Sequence, residues 1–391
     1  MSRPHHIVVI DPIAFAGGSK VATRNMLDLD DKKNTRVTVV TTDPDFWRND
    51  WIETTPLYEP GFLACKDQGI LYFLRHLVIV ASILYARVRH GKIDVALGAS
   101  GPGIDLSLYL ARKILSFKII QLIHGPVATS RTIARALLAA DTVFYLESTR
   151  ESLVNTLTTQ HPRARALKLL NETRFKPFAN GLPLDQWPTA CNTEEPVIFW
   201  AASLLKWKGL ETLLFALQSI PAALRPRSHI CYIRPQATNL ATSNAPVEIE
   251  NVSWHESPEN LDSIRAQCSI FVSTSQQEPF GLSILEAMAA GHCVLIPADG
   301  AYWDRTLVDD SNCIKYTTGD ANDLANKLFS LSRDTARIRR LGEAASDIAC
   351  NYRAITQYAT IRKLLGGAKA ITGEVSTTEG HAPKTNPGVT Q

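Results

Sequence analysis

Two carboxylates, Glu278 and Glu286, stand with seven residues between them, and a Pro279-Phe280-Gly281-Leu282 turn lies just after the first. Pro279 suits the start of a helix, and Gly281 lets backbone come close to a ligand. A helix beginning here leaves the amides of Phe280, Gly281, Leu282 and Ser283 without partners inside it. Donors grouped in this way suit phosphate or sugar oxygens. With Glu278 on the turn and Glu286 about one turn into the helix, both carboxylates are expected to face one cleft.

The elements that must hold this group are legible on either side of it. Cys268 to Val272 reads as a buried strand, the polar stretch from Ser273 breaks it, and Leu282 to Ala290 reads as a helix stopped by Gly291. The same alternation runs through the chain. Ile7 to Ile10 is a short apolar strand, followed by Gly17-Gly18 and a helix over Lys20 to Leu29. Val37 to Thr42, Ile93 to Leu97 and Phe117 to Ile123 are further strands, with helices over Leu71 to His90 and Ile104 to Leu115. The last of these strands ends at His124. Strands and helices in this order imply a doubly wound parallel sheet, whose ligands gather at the carboxyl ends of its strands. The Gly-x-Gly-x-x-Gly pattern is absent, so a nicotinamide cofactor gains no support.

A polar, proline-containing stretch from Gln186 to Pro196 has no apolar period and reads as a hinge. After it, Val197 to Trp200, His229 to Ile233, Val252 to Glu256 and Cys293 to Pro297 are strands of a second set. Asp320 caps a later helix. The expected organisation is a first domain over 1–185, a second over 186–349, a helical segment over 350–365 and a disordered tail over 366–391.

Composition sets the outer bounds. A chain of 391 residues exceeds what one core usually holds, and 45% hydrophobic with 20% charged residues describes a soluble globular protein. A net charge of +3 is too slight to point to nucleic acid. Seven scattered cysteines without a Cys-x-x-Cys pair read as free thiols of a reducing compartment and argue against a zinc site. The amino terminus has no apolar signal core, so a cytoplasmic location is expected. The most apolar stretch, Leu77 to Ala86, is too short to span a bilayer. It has Arg75 and His76 before it and Arg87, Arg89, His90 and Lys92 after it. Both a buried helix with a basic end and a helix peripheral to an anionic inner membrane face fit this pattern.

Glu278-Pro-Phe-Gly-Leu, then Glu286-Ala-Met-Ala and Gly291, resembles the Glu-x7-Glu signature of retaining glycosyltransferases of the GT-B fold, the glycogen-synthase-like family 4 or group 1. The resemblance implies an α/β protein of two Rossmann-like domains facing each other across a cleft, with the segment after 349 crossing back to the first. Gly17-Gly18 resembles the glycine loop of the first domain, His124 a histidine near donor and acceptor, and Asn180-Gly181 the element closing that domain. Lys208-Gly209 matches part of the diphosphate-holding Gly-Arg-Leu-x-x-x-Lys-Gly element. Ala202 and Ser203 replace its Gly and Arg, leaving Lys206 or Arg234 to supply the second cation. Arg234-Pro235 stands where relatives carry a glycine-rich turn, and Asp304 replaces a glutamate.

By the same resemblance, Glu278 binds sugar hydroxyls, Glu286 binds the ribose, and Lys208 with the amides of Gly281, Leu282 and the Gly18 loop neutralises the leaving diphosphate. The implied donor is a UDP- or GDP-sugar, and the acceptor a glycan or lipid-linked molecule of polysaccharide or glycoconjugate synthesis. No cofactor and no metal are expected. Asp28-Leu-Asp30 reads as a solvated turn and not as a metal-binding Asp-x-Asp. Two other readings stand beside this one: a catalytically weak binding subunit, favoured by Ser203 and the missing glycine turn, and a nucleotide-sugar epimerase on the same architecture.

Overall fold

The computed structural model describes residues 3–14, 17–29, 32–63, 66, 68–235 and 240–366. Phe15, Ala16, the end of the Asp28-Leu-Asp30 stretch with Asp31, Cys65, part of the polar loop after Pro235 and the tail from 367 lie outside these residues.

Runs rich in Val, Ile and Leu form strands that are buried on both faces, as parallel sheets require. In the first sheet these are β1 (His5–Asp11), β2 (Thr35–Thr41), β3 (Ile52–Pro56), β4 (Val95–Gly98), β5 (Lys118–Ile123), β6 (Thr142–Leu146) and β7 (Phe175–Phe178). They lie in the order β3-β2-β1-β4-β5-β6-β7, every pairing parallel. The second sheet holds β8 (Ile198–Ser203), β9 (Ser228–Ile233), β10 (Val252–Glu256), β11 (Ile270–Val272), β12 (Cys293–Ala298) and β13 (Ile314–Thr317). Its order is β10-β9-β8-β11-β12-β13, again all parallel. The two α/β units expected from the sequence are therefore present. β3, β7, β13 and the helices Arg131–Ala139 and Arg163–Leu170 are elements that the apolar runs alone do not reveal.

Strand order reverses between β1 and β4 in one sheet and between β8 and β11 in the other. Loops leaving the carboxyl ends at such a switch point splay apart and open a crevice. Among the described residues these loops hold 12–14 and 17, 99–105, 204–209 and 273–281, so the topology alone brings Gly17, Lys208 and the Glu278 turn around one space.

A single apolar cluster runs between the two sheets, from Ile7 and Val9 to Phe271, Phe280 and Met288, and includes Ala354, Tyr358, Ile361 and Leu365. The segment after 349 thus packs against the first domain. Leu182 and Arg353 form a parallel bridge, Arg362 donates to the Asn25 carbonyl at 2.8 Å, and the Tyr358 hydroxyl accepts from the Gly181 amide at 2.9 Å. A Cβ on Gly181 would sit 2.8 Å from the Ala354 backbone, so only glycine admits this crossing.

The helix Gly69–His90 corrects one expectation. It has 22 residues, and among the described residues it alone is long and apolar enough to cross a membrane by length and composition. It is also not a wholly buried helix. Arg75, His76, Ile79, Val80, Ile83 and Ala86 face the protein, while Ile70, Leu74, Leu77, Tyr85 and Val88 are exposed along the opposite side.

Candidate active site

Between the sheets lies a cleft of about 1310 Å³, lined from the first domain by Gly17, Gly18, residues 99–104 and His124 and from the second by Ser203, Lys208 and residues 278–283 with Glu286. Gly281 takes φ +79° as the residue before the helix Leu282–Ala289, a conformation that favours glycine. The chain therefore turns sharply at the helix start. Among the described residues, no acceptor takes up the amides of Phe280, Gly281, Leu282 and Ser283. Gly18 reaches this helix end from across the cleft: a Cβ on it would meet Leu282 Cδ1 at 3.5 Å. Ser148 closes the same junction, its hydroxyl donating to the Pro279 carbonyl at 2.5 Å.

Lys208 is fixed to the turn from beneath. Thr274 donates from Oγ1 to the Lys208 carbonyl at 2.8 Å and accepts from Trp200 Nε1 at 3.0 Å, and the Gln276 amide donates to the Trp207 carbonyl at 3.0 Å. Gly209, with φ +69°, lets the two loops touch, since a Cβ there would lie 2.2 Å from the Thr274 oxygen. The Lys208 ammonium then sits 2.5 Å from Glu278 Oε2 and 4.0 Å from the centre of the Trp207 ring. Cation and carboxylate form an ion pair within the cleft lining.

Glu286 is half-buried, and Arg265 holds its Oε2 at 2.7 Å. Burial pushes its pKa up, against the pull of the guanidinium. His124 is half-buried, edge-on to Phe178, with Nε2 3.5 Å from Thr23 Oγ1. Burial lowers its pKa to about 4, which leaves the imidazole neutral near pH 7. Among the described residues no three His, Cys, Asp or Glu side chains gather as a metal site would.

Of the residues singled out by sequence, Gly17, Gly18, His124, Ser203, Lys208, Glu278, Phe280, Gly281, Leu282, Ser283 and Glu286 all line the cleft. Phe280 turns its ring inward, only 2% exposed, onto Tyr302 and Trp303, so it contributes backbone and not side chain. Arg234 is the exception. It is half exposed, pairs with Glu256 at 3.1 Å, donates to the Ala245 carbonyl, and lies outside the cleft lining. Lys206 likewise pairs with Glu211. The second cation that either was expected to supply is not in the cleft, and Asp304 is engaged by Lys315 at 2.8 Å. Trp207, Thr274 and Arg265 were not foreseen, because their roles depend on contacts between distant segments; Ser148, which by resemblance is expected to cap the helix after β6, donates instead to the Pro279 carbonyl.

Residues 183–347 match the family described as Glycosyl transferases group 1. No curated protein sequence matches the chain. Among solved structures, HepE from Anabaena in complex with UDP and glucose is 17% identical, covering 92% of this chain and 98% of that one with a TM-score of 0.68. Sucrose-phosphate synthase from Thermosynechococcus elongatus is also 17% identical, with the same coverage and a TM-score of 0.69. A lipopolysaccharide outer core galactosyltransferase, WaaB, is 14% identical over 92% and 98% of the two chains, TM-score 0.58. The chain has the GT-B fold.

Proposed function

We propose that the protein transfers a sugar from a nucleotide-diphosphate sugar, with retention of configuration and without a metal. The observation that carries this reading is the convergence at one cleft of four free helix-end amides, the Lys208 ammonium and two carboxylates, with Gly18 opposite. Negative charge builds on the diphosphate as the glycosidic bond breaks, and preorganised donors and a cation in a narrow cleft stabilise it. Lys208, the amides of residues 281–283 and the Gly18 backbone take that role. Glu278 binds hydroxyls of the donor sugar, and Glu286 those of the ribose. Neutral His124, at the carboxyl end of β5, stands between sugar and acceptor. The acceptor hydroxyl attacks from the face the diphosphate leaves, and the phosphate takes its proton. HepE, bound to UDP and glucose, and the group 1 match over the second domain support this assignment.

The acceptor is a glycan or lipid-linked molecule. The helix Gly69–His90 favours the lipid-linked class: Tyr72 and Phe73 line the cleft, and the exposed stripe Ile70, Leu74, Leu77, Tyr85 and Val88 continues from there, ending near Arg89 and Lys92. An apolar face with a basic end suits a peripheral seat on an anionic cytoplasmic membrane surface. Screening nucleotide sugars by thermal shift identifies the donor. Lys208→Ala is expected to cut donor turnover by about a hundredfold or more, the usual loss when one charge-stabilising donor is removed. Unchanged turnover overturns the site assignment. A folded chain that binds the donor tightly yet neither hydrolyses nor transfers it favours the binding-subunit reading, for which Ser203 in place of a cation is the structural argument.

A further inference from the structure

Glu286 Oε2 is held at 2.7 Å by Nη2 of Arg265, a residue only 6% exposed. The same guanidinium takes Asp262 Oδ1 on Nη1 at 2.8 Å. Asp262 in turn accepts from Thr189, at 2.6 Å from the hydroxyl and 3.2 Å from the amide. Thr189 belongs to the stretch joining the domains. Nearby, the Cys191 amide donates to Ala290 and the Asn192 amide to Ala266, so this stretch is fastened to the ends of both helices that carry Arg265 and Glu286. Among the described residues no donor reaches Glu286 Oε1, and Glu286 lines the cleft.

We propose that Arg265 is a positioning residue: by fixing one oxygen of Glu286 from behind, it presents the other to the ribose hydroxyls and sets the preference for a ribonucleotide donor. This rests on the nucleotide-sugar reading above. A carboxylate on three rotatable bonds loses much freedom when it binds a diol. A buried guanidinium that bridges Glu286 and Asp262, one nitrogen to each, removes that freedom beforehand, and its planar fork spans both carboxylates where a lysine cannot. Anchoring through Asp262 ties the geometry to the interdomain stretch.

Calorimetry with UDP and GDP against their 2′-deoxy forms, and with pyrophosphate, tests this. The native chain is expected to favour the ribose form by about tenfold, the scale of one charge-assisted hydrogen bond. Arg265→Lys is expected to bring that ratio near one while pyrophosphate affinity holds. Asp262→Asn, on a half-buried side chain that leaves the guanidinium in place, is expected to reduce the ratio partway with the melting temperature little changed, which separates positioning from misfolding. A ratio unchanged in both variants, or absent in a native chain that binds nucleotide, overturns the proposal. A native chain that binds no nucleoside diphosphate overturns instead the donor assignment beneath it.

Discussion

Lys208 and Glu278 pair at 2.5 Å, so a diphosphate seated as proposed competes with the carboxylate for the ammonium. Replacing the carboxylate separates binding from chemistry. In Glu278→Gln the ammonium is released, and affinity for inorganic pyrophosphate or nucleoside diphosphate is expected to rise several-fold, on the order of 1 kcal/mol for one partly screened charge. Sugar transfer is expected to fall, because the amide no longer accepts two sugar hydroxyls as a carboxylate does. In Lys208→Ala both quantities fall. Titration calorimetry beside a turnover assay checks this, and tighter binding with undiminished transfer in Glu278→Gln would remove Glu278 from the chemistry. At this scale the sequence was informative wherever the group is contiguous: Glu278, the free amides and Glu286 lie in nine residues. The contacts of Arg265 and Ser148 were illegible because each reaches a partner at least twenty-one residues away in the chain.

The helix Leu282–Ala289 begins at a residue only glycine suits, and this makes the helix end testable as an element. An alanine at 281 must adopt φ near +79°, at a cost of roughly 1–2 kcal/mol, and its Cβ would press on Ile284 Cδ1 at 2.9 Å and Glu278 Cγ at 3.0 Å. Ile284 Cδ1 is a side-chain end that can yield, and a shift of Glu278 Cγ carries the carboxylate with it, so Gly281→Ala is expected to fold with a lowered melting temperature while Glu278 is displaced and turnover drops more than tenfold. Normal kinetics in this variant would show that the turn does not position the carboxylate. The helix Gly69–His90 makes a second prediction. Leu74→Glu with Leu77→Glu alters only exposed positions, and cosedimentation with anionic vesicles is expected to fall by about tenfold or more as apolar contact is lost. Thermal stability is expected to stay. Equal vesicle binding by native and variant chains would leave the apolar stripe without this role. Elements were legible where apolar runs are long. β3, with Glu53 and two threonines ending at Pro56, is an edge strand too polar to announce itself, and Arg131–Ala139 and Arg163–Leu170 are short helices without a pronounced stop signal.

At the scale of the molecule, paired switch points explain why so few residues specify the site: two parallel sheets meet carboxyl end to carboxyl end, and the loops at each reversal have nowhere else to go. That arrangement follows from strand and helix alternation, so it was legible, whereas the crossing of Tyr358 against Gly181 depends on packing that no local pattern encodes. Holding both halves around one continuous core also buries histidines. His6, His76 and His124 are pushed down to about 4 and His292 to about 3, in each case chiefly by burial. Each therefore stays neutral in the folded chain while its unfolded counterpart protonates below about 6.5. Between those values the unfolded state binds more protons, so folding stability falls as pH drops. Asp105 acts in the opposite sense. Burial raises its pKa to about 7, so the folded chain takes up that proton first and gains stability as pH falls from 7 towards 4. Burial also raises Glu286, in the same sense as Asp105, and lowers His90 and His229; the lowered histidines outweigh the two raised acids, and net stability is expected to fall by on the order of several kcal/mol between pH 6.5 and 4.5. Urea unfolding across that range measures the slope. His292→Gln is expected to flatten it by about one proton per molecule, since the ring contacts Phe199 in the interior and cannot charge there. A native slope of zero or of opposite sign would mean that these rings reach water.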